Sequence, residues 1–154
     1  MEFITDRTAA DVARWKELHD KGWAAMTQDE QAEWMAGMKG AYKHTDMNRV
    51  EAAVLEYIGE FKELGVDLSL TVETGWTRTR RPTISDMRRY FGNVAALRAA
   101  TGVRVNAPDT PTVNGVFDYQ RANDLEKILE AIGIWLTAAK SATRYSGEIH
   151  LGEV

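Results

Sequence analysis

An all-α domain of about five helices in a bundle is the fold this sequence predicts, and three observations carry the reading. Five stretches repeat apolar residues three and four apart, the period of a helix with one buried face. Most of them open on a Ser, Thr or Asp that can cap the first turn. The 154 residues, 44% apolar and 27% charged, are the length and composition of one globular domain. Period-two alternation is confined to short runs near 66–76 and at the C-terminal tail. The expected division is one helical domain over 1–144, a helical hairpin over 1–44 followed by three longer helices over 45–144, and an extended arm over 145–154.

The first helix is expected from Ala9 to Lys21, with Thr8 as cap, Asp11 completing a capping box, and Val12, Trp15, Leu18 and the later Trp23 inward on one side. The second runs from Gln28 to Met38 behind the pair Thr27 and Glu30, with Trp34, Met35 and Met38 as apolar contacts and Gly37 or Gly40 ending it. The third runs from Asp46 to Leu64, capped by Thr45 and closed by Gly65. Its seam is Val50, Val54, Tyr57, Phe61 and Leu64, with Glu56, Glu60 and Glu63 on the opposite side. The fourth runs from Ser85 to Ala100 behind Pro82, capped by Thr83 or Ser85, with Met87, Tyr90, Val94 and Leu97 inward. The fifth runs from Tyr119 to Ser141 behind Asp118, through Ala122, Leu125, Leu129, Ile132 and Leu136, with Gly133 as a weak point. Residues 66–82 read as a short strand or a packed loop, and 103–117, with Pro108 and Pro111, as irregular chain. The set Asn48, Val50, Glu51 and Val54 resembles Asn123, Leu125, Glu126 and Leu129, a candidate internal repeat.

Chemistry is excluded more readily than assigned. The chain has no cysteine, so disulfides, thiolate metal sites and cysteine nucleophiles are ruled out. His19, His44 and His150 lack metal-ligand spacing, and no phosphate loop, dinucleotide fingerprint or nucleophile elbow occurs. No catalytic residue, metal or cofactor is expected. No apolar run reaches the roughly 20 residues that span a bilayer, and Met1–Arg7 lacks the order of a signal peptide. The net charge of −4 conceals a strong asymmetry: −7 over 1–74, +6 over 75–104 and −3 over 105–154. The basic island holds Arg78, Arg80, Arg81, Arg88, Arg89, Arg98 and Arg104 among Trp76, Tyr90 and Phe91. Arginine beside aromatics suits phosphates and stacked bases. It equally suits forked ion pairs within a fold or between subunits. Five tryptophans are expected mainly in the core, with some at an oligomer interface.

The segment Lys39-Gly40-Ala41-Tyr42-Lys43-His44-Thr45-Asp46-Met47-Asn48-Arg49-Val50-Glu51 resembles a motif of small structural proteins of tailed phages and prophages of Gram-positive bacteria, from the tail and baseplate region. Thr5–Val12, Met87–Arg98, Ala122–Leu129 and Arg144–Ile149 are similar to other parts of that family. Lys43, His44 and Met47 depart from its usual pattern. The resemblance implies a non-enzymatic virion component, made in the host cytoplasm, that self-associates and contacts other tail proteins. Nucleic-acid binding through 75–104 is the alternative. The motif also has a physical reading as a rigid helix junction. Gly40 would allow a tight turn, Thr45 and Asp46 would start the third helix, and Arg49 would pair with a carboxylate of another helix. Arg78, Arg80, Arg81, Arg88 and Arg89, with Tyr145, Ile149 and Leu151 of the tail, form the expected interaction surface.

Overall fold

The computed structural model describes residues 2–102 and 105–149, with side chains as far as residue 143. Its helices are α1 (Ala9–Lys21), α2 (Gln28–Ala36), α3 (His44–Glu63), α4 (Ile84–Ala100) and α5 (Tyr119–Ile149), with a single 3₁₀ turn at Trp23–Ala25. No strand occurs among the described residues, and the fold is an all-α bundle.

Local chemistry explains most of the boundaries. Thr8 accepts from the Asp11 amide at 3.2 Å while Asp11 accepts from the Thr8 amide at 2.8 Å. The pairs Thr27–Glu30 and Thr83–Asp86 repeat this reciprocal cap, so α4 is capped by Thr83 and not Ser85. Asp118 accepts from the Arg121 amide at 2.9 Å. Helix α3 departs from expectation. Thr45 is no cap; it is an exposed residue of the first turn, and the helix starts earlier, behind Lys43. The Asp46 carboxylate accepts the Lys43 amide at 2.7 Å, which satisfies the helix start from inside its first turn. The other end closes on Gly65, at φ 81°, with Val66 N–H bonded to Phe61 C=O and Gly65 N–H to Lys62 C=O. Both bonds need the left-handed backbone that glycine adopts without cost.

The expected extended arm is contradicted as far as Ile149. Helix α5 continues through Tyr145 to Ile149; residues 150–154, with Leu151, lie outside the described residues. Ser141 lies inside the helix, its hydroxyl donating back to the Thr137 carbonyl at 3.0 Å, and Thr143 does the same to Ala139.

Helices α3 and α5 run parallel. Arg49 meets Glu126, Tyr57 lies against Gly133, Phe61 stacks on Trp135 and Glu63 pairs with Lys140, so contacts advance together along both. Parallel neighbours require the chain to return between helices, and it does so extended. Residues 66–76 run back along α3, from Val66 beside Phe61 to Trp76 beside Asn48. Residues 105–113 run back along α4, where Arg98 donates to the Ala107 and Pro108 carbonyls and Val113 shares a cleft with Arg88 and Phe91. Residues 3–8 run back along α5, from Phe3 near Gly133 to Arg7 at Asn123. The alternation of Leu68, Leu70 and Val72 therefore belongs to a packed loop whose half-buried side chains reach the core.

That core is built by Val50, Val54, Phe61, Tyr90, Val94, Leu97, Leu125, Ile128, Leu129, Ile132 and Leu136, all closed to solvent or nearly so. The α1–α2 hairpin is peripheral, burying only Leu18 and, just before α2, Met26. The expected inward positions of Met35 and Trp23 are overturned: they are 74% and 50% exposed. Trp76 is the buried tryptophan, while Trp15 and Trp34 stack at 6.4 Å between the two short helices.

Candidate functional site

The segment 39–51 ends up at the meeting point of α1, α3, α4, α5 and the N-terminal segment. Lys39 pairs with Asp6 at 2.7 Å and lies 3.7 Å from Asp11. Gly40 sits against the backbone of α1, where any Cβ would strike the Asp11 carbonyl. Close approach, rather than the expected tight turn, is what requires glycine here. The Tyr42 hydroxyl meets that of Tyr90 at 2.5 Å, and its ring is edge-on to Phe117. Burial raises the pKa of both phenols; the hydrogen bond from Tyr90 opposes this only in part at Tyr42.

Buried Asp46, Glu126 and Arg7 and the half-buried Arg49 form a quartet of two cations and two anions. Arg7 Nη2 lies 3.1 Å from Asp46 and 2.8 Å from Glu126; Arg49 Nη2 lies 2.6 Å and 2.8 Å from the same pair. Burial works against the charge on Arg49, but its bonds to Glu126 and Asp46 prevail and its pKa is raised. The expected pairing of Arg49 with a carboxylate of another helix is thus realised by Glu126 of α5. Arg7 was not foreseen as a partner. Its signal lay in the candidate repeat, because the residues that hold it are Asn123 and Glu126.

The repeat has a geometric counterpart. Asn123 accepts from Arg7 N–H at 3.0 Å and donates to Arg7 C=O at 2.8 Å; Asn48 does the same to Trp76, at 2.9 Å for both bonds. Three residues on, Glu126 accepts the Ile4 amide at 2.8 Å and Glu51 accepts the Glu73 amide at 3.3 Å. In each case the clasped amide lies three residues before the residue held by Asn. Each Glu also takes an Arg from a neighbouring helix: Arg49 for Glu126, Arg89 for Glu51 at 2.6 Å. Both glutamates are fully buried. The Asn-x-x-Glu pattern is thus a clasp for extended main chain, used twice.

The basic island divides. Arg89 is bound to Glu51, and Arg98 to backbone carbonyls. Arg80 pairs with Glu73 at 2.9 Å and lies 4.3 Å above the Trp76 ring. Arg78, Arg81 and Arg88 are exposed and make no ion pair among the described residues; Arg104 lies outside them. Arg78 and Arg81 rim a groove of about 700 Å³ with an apolar floor that includes Trp15, Tyr42, Met47 and Phe117. Lys43 and His44 complete the rim, and no carboxylate lines it. A second groove of about 490 Å³, between α3 and α5, has the opposite character: Glu2, Glu56, Glu60 and Glu130 line it beside Ile134, which is 69% exposed. Asp46, Glu51 and Glu126 line neither groove. Among the described residues no group of three or more His, Asp or Glu is placed to hold a metal ion, and no helix is long and apolar enough to cross a membrane. The chain matches no family model, and no curated protein and no solved structure matches it significantly.

Proposed function

We propose that this chain is a non-enzymatic structural or adaptor protein of a phage or prophage tail, made in the host cytoplasm and acting through self-association and contacts with other tail proteins. The tail assignment rests on the resemblance of residues 39–51. Self-association is supported by one observation, large apolar side chains left in water: Met35, Ile84, Val116 and Ile134 are each more than two-thirds exposed. The internal use of the motif agrees with this reading, since Asp46, Asn48, Arg49 and Glu51 are all engaged in holding segments of the fold together. A nucleic-acid surface has less to work with, because Arg80, Arg89 and Arg98 are already engaged.

Sedimentation velocity up to several hundred micromolar tests the first part. Association is expected, and a monomer throughout would reject it. Mass spectrometry of purified particles tests the second, with the chain expected among the tail components.

A further inference from the structure

We infer that the basic groove receives the acidic α3–α5 face of a second copy, so that the chain assembles head to tail; this rests on the self-association proposed above. The two surfaces are complementary in charge and in apolar content. Arg78, Arg81 and Lys43 surround an aromatic floor that holds no acid. Glu56 and Glu130 flank the exposed Ile134, and neither carboxylate has an ion-pair partner among the described residues. Each side therefore carries charge that the fold leaves uncompensated, beside apolar surface left in water. Joining them neutralises the first and buries the second.

The placement of the two surfaces sets the type of assembly. The groove sits where the long helices begin, at Lys43 and His44 before and in α3, Met87 in α4 and Phe117 ahead of α5. Glu56 lies thirteen positions into α3, roughly 18 Å along its axis at 1.5 Å per residue. One copy cannot bring its own two surfaces together. Two copies joined this way leave one groove and one acidic face free, so growth continues until a ring closes or a filament forms. A two-fold dimer would instead make both groove-to-face contacts reciprocally and stop at two, so a wild type that stops at a dimer overturns head-to-tail growth. A single strand of nucleic acid is the competing occupant of the groove, but it would leave the acidic face and Ile134 without a role.

The test uses two variants of the full chain. A groove variant carries Arg78→Gln and Arg81→Gln; a face variant carries Glu56→Gln and Glu130→Gln, neutral replacements that leave the two altered surfaces no complementary charge for each other. All four side chains are exposed, so the fold does not depend on them. Wild type is expected to form higher oligomers that shrink as salt rises. Each variant alone is expected to be a monomer. An equimolar mixture is expected to give a 1:1 dimer that grows no further, because only one intact pair of surfaces exists. That dimer also shows that both variants are folded. If wild type associates but either variant alone still does so to the same extent, or the mixture stays monomeric, the head-to-tail interface is wrong while self-association stands. A monomeric wild type overturns both. A labelled oligothymidine that binds wild type at low salt, loses at least tenfold in affinity with the groove variant, and competes with association of the wild type in no ratio would assign the groove to nucleic acid instead.

Discussion

Removing the Glu126 carboxylate would leave two guanidinium groups sharing the single carboxylate of Asp46. Arg7 and Arg49 both bond to it, and the Ile4 amide loses its acceptor in the same step. Breaking one partner out of a buried ionic group costs about 3–5 kcal/mol. Glu126→Ala is therefore expected to lower the unfolding free energy by that amount in urea titrations, whereas Glu56→Gln, at an exposed position, should leave it within about 0.5 kcal/mol. The same scale explains Gly133. From the sequence it is a flaw in α5, but a methyl group there would run into the Tyr57 hydroxyl of α3, so the residue makes room for a neighbour 76 positions away. Helical periodicity reports which face of a helix is buried and says nothing of what lies opposite. For that reason the inward stripe of α5 could be read from sequence and the role of Gly133 could not. Arg7 was hidden for a related reason, since a charged residue in a non-periodic segment gives no sign of enclosure by itself, and its trace lay only in the Asn123 and Glu126 that hold it.

Capping is the part of each element most legible in the sequence. Thr8, Thr27 and Thr83 each stand three residues before an acid, and each forms the reciprocal cap. Thr45 precedes helical residues in the same way but caps nothing, because Asp46 already holds the Lys43 amide. Substitution separates the two cases. Thr83→Ala is expected to cost about 1 kcal/mol and Thr45→Ala close to nothing, read as midpoint shifts in chemical denaturation. The return segments were the least legible element. Residues 66–76 show the alternation of a strand, yet their main chain is held by Asn48, Glu51 and Asn93 side chains projecting from helices. Side chains standing in for a neighbouring strand leave the period-two pattern intact, so strand and packed loop were indistinguishable until those donors and acceptors were placed. The far end of α5 was misjudged because Ser and Thr near 141–143 resemble an end of helix, although their hydroxyls can equally bond back along it.

For the molecule as a whole, the three parallel helices close around phenols as well as aliphatic chains. Burial pushes the Tyr57 hydroxyl up to about 12, with Glu56, Glu60 and Glu130 adding to the effect, and raises Tyr42 and Tyr90 as well. A free tyrosine ionises near pH 10. Above that value the unfolded chain releases protons that the folded chain retains, so stability is complete below about pH 10 and declines as pH rises toward 12. The melting temperature is expected to fall across this window, and Tyr57→Phe to flatten the fall, as followed by circular dichroism. The fold class was legible at this scale because composition and periodicity sum over many residues. The parallel direction of the helices was not, since long connections permit either direction. The clasp at Asn123 and Glu126 also bears on how the chain is made. Residues 4 and 7 find their partners 116 to 122 positions later. At 5–20 residues per second the ribosome needs on the order of 10 s to supply them. During that interval Ile4 and Arg7 lack their α5 partners, and the locking of residues 3–8 must wait until α5 has been translated.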